Sequence, residues 1–170
     1  MIFDLIDLAK LRRAFVYALL LLVLFLLQNV LFANLAIAGV RAMFVPISVV
    51  CVALFEGGVW GALYGLAAGF FLDMGMPDST VLFLLLLPVI GFFCGALCHY
   101  VLRRGFLTAL VLSAGTLILT ALCQMFPFLF SGTKIWAVIG TGLLQVLWSL
   151  PFIFIIYYPC RAIAQRDMTD

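Results

Sequence analysis

Long apolar runs dominate this chain, and short polar or glycine-bearing segments separate them. An α-helix needs about 20 apolar residues to cross a bilayer, and most of these runs approach or reach that length. The predicted transmembrane helices cover about residues 14–32, 40–55, 57–72, 80–102, 106–126 and 135–157. The pattern therefore predicts an all-α, polytopic integral membrane protein with about six transmembrane helices.

Two flanking segments differ from the predicted transmembrane domain, residues 14–158. Residues 1–13 mix charged and apolar side chains, which favours either a short helix in the membrane interface or a disordered start. Residues 159–170 are expected to form a frayed polar tail. The first apolar run exceeds the 7–15 residues typical of a signal peptide, so we expect it to be retained as a transmembrane helix.

The second and third predicted helices are short for perpendicular transmembrane helices. The segment Glu56-Gly57-Gly58 is the predicted turn between them, and Pro46 lies in the first half of the second helix. The two helices fit either a tight spanning hairpin or a partly re-entrant pair. We adopt the spanning hairpin as the prediction.

Composition supports a membrane environment for the whole chain. Hydrophobic residues make up 68% and charged residues 9%, whereas soluble domains are about half apolar and a quarter charged. The net charge of +2 is too small to indicate a nucleic-acid partner. Membrane lipid is therefore the expected surrounding.

The basic residues predict the orientation of the helices. With the N-terminus inside, most Lys and Arg residues fall on the cytoplasmic side: Lys10, Arg12, Arg13, Arg103, Arg104, Arg161 and Arg166. Only Arg41 and Lys134 fall outside, as the positive-inside rule requires. An odd number of spans would move one basic pair outside, so the charges favour six spans with both termini in the cytoplasm.

Glycines recur every four residues along the third predicted helix, and the series ends in an acid: Gly57, Gly61, Gly65, Gly69 and Asp73. Small residues at this spacing form one helix face and allow close backbone contact with another helix. That helix belongs either to this chain or to a partner. Gly91 and Gly95 on the fourth helix form a second such pair, which we expect to pack against the first series.

Few residues are candidates for chemistry. Asp73 and Glu56 lie at helix ends, where we expect water to reach them, although Asp73 could also contact a neighbouring helix end. Gln124 and Gln145 lie deeper and either hydrogen-bond across helices, which we favour, or line a polar cavity. No nucleophile–base pair stands out in the sequence, so we expect no catalytic residue and no enzyme activity.

No cofactor or metal site is expected from the sequence. The five cysteines lie within or directly after apolar runs, where thiols behave as small hydrophobic groups. Cys94 and Cys98 share a helix face, but His99 points about 100° away from Cys98. No second cluster completes a set of four zinc ligands.

The chain resembles the bacterial rod-shape-determining membrane protein family MreD. Gln28 ends the first predicted helix and Pro46 opens the second, as in that family. The segment from Gly61 to Leu97, GALYGLAAGFFLDMGMPDSTVLFLLLLPVIGFFCGAL, resembles its spaced glycines, aspartate, short loop and second glycine-bearing helix. The length and hydropathy agree over almost the whole chain.

This resemblance implies a non-catalytic role in the complex that positions peptidoglycan synthesis during cell elongation. The implied location is the bacterial inner membrane. The implied direct partner is a bitopic MreC-like protein, with an MreB-like protein and wall synthases nearby. Gln28, Pro46, the Gly61–Gly65–Gly69 series and Asp73 are then expected to determine helix packing or partner docking.

A vitamin-type transporter subunit is the alternative function. Small substrate-binding components of such transporters resemble this chain in length and topology, and some carry an alanine-xxx-alanine motif on the first helix. Ala14 and Ala18 match that spacing. A vitamin-binding protein should present an outward pocket with several convergent polar groups. The presence of such a pocket would favour the transporter subunit over the cell-elongation component.

Overall fold

Seven α-helices make up nearly all of the described part of the protein. The computed structural model describes residues 2–31, 43–75, 82–100, 105–130 and 135–165. The helices are α1 (Ile2–Leu26, continued by a π-helical turn at Leu27–Leu31), α2 (Val45–Glu56), α3 (Gly58–Gly75), α4 (Leu82–Tyr100), α5 (Phe106–Phe130), α6 (Ile135–Ser149) and α7 (Phe152–Gln165). No strand occurs in these ranges, so the all-α prediction is confirmed for them.

Two of the helices are long and apolar enough to cross a membrane by length and composition. These segments are Arg12–Val30 within α1 and Phe106–Gln124 within α5. A third span results if the bent pair α6–α7 counts as one. Val45–Glu56 and Leu82–Cys98 are shorter apolar helices. Such helices are typical of a membrane protein.

Helix α2 forms the centre of the fold. Its residues from Val45 to Leu54 are all buried, most of them completely. Helices α1, α3, α4, α5 and α7 all contact it. Because α2 has only 12 residues, it is about 18 Å long, against about 30 Å for a hydrocarbon core. The protein interior, rather than lipid, surrounds this short helix.

Helix α1 lies at the periphery and runs parallel to α3. Tyr17 of α1 packs edge-on against Tyr64 of α3, with ring centroids 6.3 Å apart. Further along the two helices, Phe25 of α1 packs against Phe71 of α3, with ring centroids 5.5 Å apart. Only 11% of the Arg12–Val30 segment is buried, so most of this segment is exposed or only partly covered by the described chain.

Helix α7 covers α2 and runs in the same direction. Phe152 at the start of α7 contacts Phe44 just before α2, with ring centroids 4.4 Å apart. Tyr157 contacts both Phe55 near the end of α2 and Phe106 at the start of α5, at 5.5 Å and 5.3 Å. The start of α5 therefore lies beside the end of α2, so α5 runs antiparallel to α2 and α7.

The sixth predicted span is not one straight helix, which corrects the prediction of a continuous helix over 135–157. Helix α6 ends at Ser149, α7 begins at Phe152, and the two segments are bent by 45°. Pro151 lies in the break. Because proline lacks an amide N–H and its ring clashes with the preceding turn, it explains the interruption.

Other helix ends also extend past their predicted limits. Helix α1 continues from Ile2 through residue 13 without a break, because no Gly or Pro occurs between residues 2 and 31. Helices α3 and α5 continue to Gly75 and Phe130, and α7 continues to Gln165 through part of the predicted frayed tail. A proline within such an apolar helix is tolerated when neighbouring groups form hydrogen bonds with the backbone groups that it leaves unpaired.

Several predictions concern residues outside the described ranges. They include the first residues of the second predicted helix, part of the loop after Asp73, and the basic residues Arg41, Arg103, Arg104, Lys134 and Arg166.

Candidate functional site

The glycine series of α3 lies directly against α4. A methyl group added at Gly65 would lie 2.5 Å from the Leu87 carbonyl oxygen, and one at Gly69 would lie 2.5 Å from that of Phe83. At Gly61 the added methyl would meet Ala53 of α2 as well as α4. These distances leave no room for a side chain, so backbone packs on backbone along this contact.

The glycines of α4 complete the same contact from the other side. An added methyl at Gly91 would meet the Gly61 carbonyl, and one at Gly95 would meet the Gly58 amide nitrogen. Residue numbers rise along α3 as they fall along α4, so the two helices are antiparallel. The glycine series therefore serves packing within this chain, and its face is not open to a partner.

Gly57 has a separate role at the turn between α2 and α3. Its φ of +97° is a backbone conformation that side-chain-bearing residues rarely adopt. Its amide donates a hydrogen bond to the Ala53 carbonyl at 3.0 Å, which closes the end of α2. Glycine thus permits the tight reversal, as the sequence predicted for this segment.

Asp73 binds the start of α4 from the end of α3. Its Oδ2 accepts a hydrogen bond of 2.9 Å from the Leu84 amide. The first amides of a helix have no partner within it, and a carboxylate there also complements the helix dipole. The alternative contact with a neighbouring helix end is therefore the one observed, and the solvated-end interpretation of Asp73 is wrong.

Gln28 and Ser149 bind the first amides of the segment that leads into α2. The Gln28 Oε1 accepts hydrogen bonds from the amides of Phe44 (3.0 Å) and Val45 (3.3 Å). The Ser149 Oγ accepts one from the Met43 amide at 3.1 Å. The π-helical turn carries Gln28, so α1 and α6 together cap a helix whose end is buried. Pro46 lies in the first turn of α2, where its missing N–H costs no helical hydrogen bond.

Two glutamines extend this buried polar group between α5 and α6. The Gln145 amide donates to the Gln124 Oε1 at 3.4 Å, which confirms the favoured hydrogen bond across helices. The Gln124 side-chain amide in turn donates to the Met43 sulfur at 3.3 Å, and the Ser149 hydroxyl donates to the Gln145 backbone carbonyl at 2.8 Å. These bonds tie α5 and α6 to the N-terminal end of α2.

Glu56 ties α1 to the other end of α2. It accepts a 2.9 Å hydrogen bond from the Tyr17 hydroxyl and forms a 3.4 Å ion pair with Arg13. The Glu56 side chain is only 11% exposed, so its interpretation as a solvated helix end is wrong. Together with Gln28 at the opposite end, this contact makes α1 antiparallel to α2.

An apolar groove of about 280 Å³ lies between α1 and α3, with Val52 of α2 at its base. Ala14 and Ala18 line it from α1, and Trp60 and Ala67 line it from α3. The alanine pair noted in the sequence therefore lines this groove.

The remaining polar side chains offer little chemistry. No group of three or more His, Cys, Asp or Glu residues that could hold a metal ion occurs among the described residues. Ser113 on α5 and the indole nitrogen of Trp148 on α6 are buried without a described hydrogen-bond partner. Most other buried polar side chains bind a helix end or a neighbouring helix.

Searches among known proteins found no matching family model, no matching curated protein and no matching solved structure.

Sequence reasoning missed the partners of Glu56 and the role of Ser149. Arg13 and Tyr17 lie four residues apart, so they share one face of α1, and this spacing could have indicated a joint acceptor. Ser149 lies two residues before Pro151. A serine next to a helix-breaking proline could have indicated that a helix ends at this point.

Proposed function

We propose that this chain is a non-catalytic, multi-pass component of the bacterial cell-elongation complex, acting through helix contacts with partner membrane proteins in the inner membrane. The observation that carries the proposal is the use of its polar side chains. Gln28, Glu56, Asp73, Gln145 and Ser149 all bind helix ends or neighbouring helices. A chain built this way is a scaffold of fixed shape.

The helix directions support six crossings with both termini in the cytoplasm. Helices α1, α3 and α5 run one way, and α2, α4 and the bent pair α6–α7 run the other way, by the contacts described above. The basic residues at the start of α1 and near the end of α7 then share the cytoplasmic side, in accord with the positive-inside rule. In this arrangement α2 crosses inside the protein, and this explains its short length.

The resemblance to the MreD family supports the assignment to cell elongation. The residues that carry it, from Gly61 to Leu97, include the glycine contact between α3 and α4 and the Asp73 cap. An MreC-like single-span protein is the proposed direct partner, with an MreB-like protein and wall synthases in the wider complex.

We place the partner helix against the outer face of α1. Its exposed apolar side chains lie at helical spacing on this face: Phe15, Leu19, Leu26 and Val30. They form a continuous stripe along a helix that the described chain otherwise leaves mostly uncovered. A single transmembrane helix can pack along such a stripe by dispersion.

Photo-crosslinking in the native host tests this proposal. A photoreactive residue replaces Leu19 on α1 or, as the matched control, Leu119 on α5, which has similar exposure. We expect position 19 to capture a single-span periplasmic coiled-coil protein and position 119 to capture none. Co-purification in mild detergent should then recover wall-synthesis enzymes. Recovery of a membrane coupling subunit with two ATPases would overturn the assignment.

The groove beside Ala14 and Ala18 is the observation that favours the transporter alternative. Its character weighs against a vitamin, because its lining is apolar apart from aromatic edges. A vitamin-binding pocket should instead present several convergent polar groups.

A further inference from the structure

Two buried thiols face each other where α7 packs on α2. Cys51 of α2 and Cys160 of α7 are both completely buried. Cys51 lies one turn before Phe55 on the same face of α2. On α7, Cys160 lies one turn after Tyr157, the residue whose ring contacts Phe55. The two thiols also hydrogen-bond each other, so the structure holds two sulfur atoms side by side on different helices.

A reaction at this pair must begin with a local opening of α7, because a fully buried thiol is otherwise inert. Helix α7 ends at Gln165, about one and a half turns after Cys160, and helix ends open most easily. Pro159 lies inside the helix directly before Cys160 and lacks an amide N–H, so this turn has one backbone hydrogen bond fewer. Helix α2 is enclosed by its neighbours. Local opening therefore exposes Cys160 before Cys51.

We propose that Cys51 and Cys160 form a redox-sensitive crosslink, which joins α7 to α2 when an organic hydroperoxide reaches Cys160. In the first step the Cys160 sulfur takes the terminal oxygen of the hydroperoxide, which breaks the O–O bond and yields a sulfenic acid and an alcohol. In the second step the Cys51 sulfur attacks the sulfenic sulfur, forms the S–S bond and releases water. The two thiols together lose two electrons and two protons, and the hydroperoxide is reduced to the alcohol.

The crosslink would fasten α7 permanently to the helix at the centre of the fold. Helices α3 to α6 lie between the two cysteines in the chain, so the disulfide closes a long loop. A disulfide across a long loop restricts the unfolded chain and thereby stabilises the folded one. Oxidation should therefore raise the melting temperature of the protein. The inference does not depend on membership of the elongation complex.

Thiol counting on the purified chain tests the proposal. The chain in mild detergent is treated with cumene hydroperoxide, unfolded in detergent that denatures it, and labelled with N-ethylmaleimide before mass spectrometry. The untreated chain should take up one label for each of its five cysteines, and the oxidised chain should take up two fewer. Digestion without reductant should yield a peptide pair that joins residues 51 and 160, and dithiothreitol should restore the lost labels.

Three variants test the order of the two steps. Cys51→Ser removes the second thiol, so Cys160 should remain as a sulfenic acid that dimedone traps. Cys160→Ser removes the thiol that is exposed first, so Cys51 should not react with dimedone. Pro159→Ala supplies the missing amide and should slow the crosslinking severalfold.

Cys94→Ser is the matched control. Cys94 is also buried, but it hydrogen-bonds Thr116 of α5 instead of a second thiol. This variant should form the crosslink as the unaltered chain does. A thermal melt establishes that each variant is folded. Alanine replaces serine at position 51 or 160 if the serine variant does not fold, because alanine brings no hydroxyl group into the interior.

Three results would overturn the proposal. The first is retention of all five thiols under conditions that fully oxidise an equal amount of glutathione. The second is a disulfide between other cysteines, or between two chains, in place of the one proposed. The third is equal trapping of Cys51 and Cys160 by dimedone in the folded single variants. None of these results depends on which proteins crosslink to α1, so this inference and the proposed function fail separately.

Discussion

The substitution Gly65→Ala probes the close backbone contact between α3 and α4. The added methyl would lie 2.5 Å from the Leu87 carbonyl oxygen and 2.8 Å from its carbonyl carbon. Ordinary carbon–oxygen contacts begin at about 3.3 Å, so α3 and α4 would have to separate by about 0.8 Å at this point. Both atoms belong to the backbone, so no side-chain rotation relieves the clash.

The cost of this separation extends along the whole contact. A gap of 0.5–1 Å removes a quarter to a half of the dispersion energy between facing atoms, and Gly61 and Gly69 lie in the same line. Overpacking of this kind costs about 1–3 kcal/mol. Gly115→Ala on α5 is the matched control, because its methyl would meet nothing within 4 Å. There we expect a gain of about 0.5–1 kcal/mol from reduced backbone freedom in the unfolded chain.

The native cysteines supply the assay. Cys51, Cys94, Cys98 and Cys160 are buried thiols outside any disulfide, so a thiol-reactive fluorescent dye reports their exposure on heating in detergent. We expect Gly65→Ala to melt several degrees below the unaltered chain, Gly115→Ala to melt at or above it, and Gly65→Leu to prevent assembly of the helix pair. If Gly65→Ala melts together with Gly115→Ala, then α3 and α4 do not touch at this position and the packing argument fails.

Substitutions at three positions test the polar contacts. Asp73→Ala removes the carboxylate from the start of α4 and should lower the free energy of unfolding by about 0.5–2 kcal/mol in the same melt. Asp73→Asn should keep part of the stabilisation that the carboxylate provides. Equal melting of the unaltered chain and both variants would contradict the role of Asp73 as a cap. Gln28→Leu leaves two buried amides without their acceptor, which should destabilise the fold by about 1–3 kcal/mol for each amide. Hydrogen exchange at the start of α2 should therefore accelerate. Unchanged exchange there would refute the role of Gln28. Glu56→Gln weakens the ties to α1 by less than about 1 kcal/mol, since Arg13 is partly exposed, and should speed exchange in α1 but not in α3; equal effects on both helices would argue against a local contact.

The glycine contact illustrates what sequence can predict in this protein. Spacing of four residues assigns Gly61, Gly65 and Gly69 to one helix face, and lipid offers no other reason to keep that face bare. The pairing with Gly91 and Gly95 follows because adjacent helices in a short hairpin meet along their small faces. Local periodicity therefore suffices to predict a contact between neighbouring helices.

The burial of α2 could not be predicted in the same way. Its apolar run has the composition of any lipid-facing helix, and its neighbours α5 and α7 lie far along the chain. The hydrogen bond between Met43 and Ser149 joins residues 106 positions apart, and only the three-dimensional arrangement brings them together. Pro151 was visible in the sequence, but the hydropathy of the run concealed the break that it causes.

The enclosed position of α2 has a consequence for the order of assembly during synthesis. Helices α3 and α4 are adjacent in the chain and contact each other directly, so they can pair before later helices are made. Helix α2 can complete its contacts only after Ser149 and α7 have been made. Ser149 accepts the hydrogen bond of the Met43 amide, and α7 packs against Phe44 and Phe55. Until then the Met43 amide lacks its hydrogen-bond acceptor, and the face of α2 that α7 covers remains open. We therefore expect a chain that stops before residue 149 to be degraded faster than one that includes α7, because α2 would lack these partners.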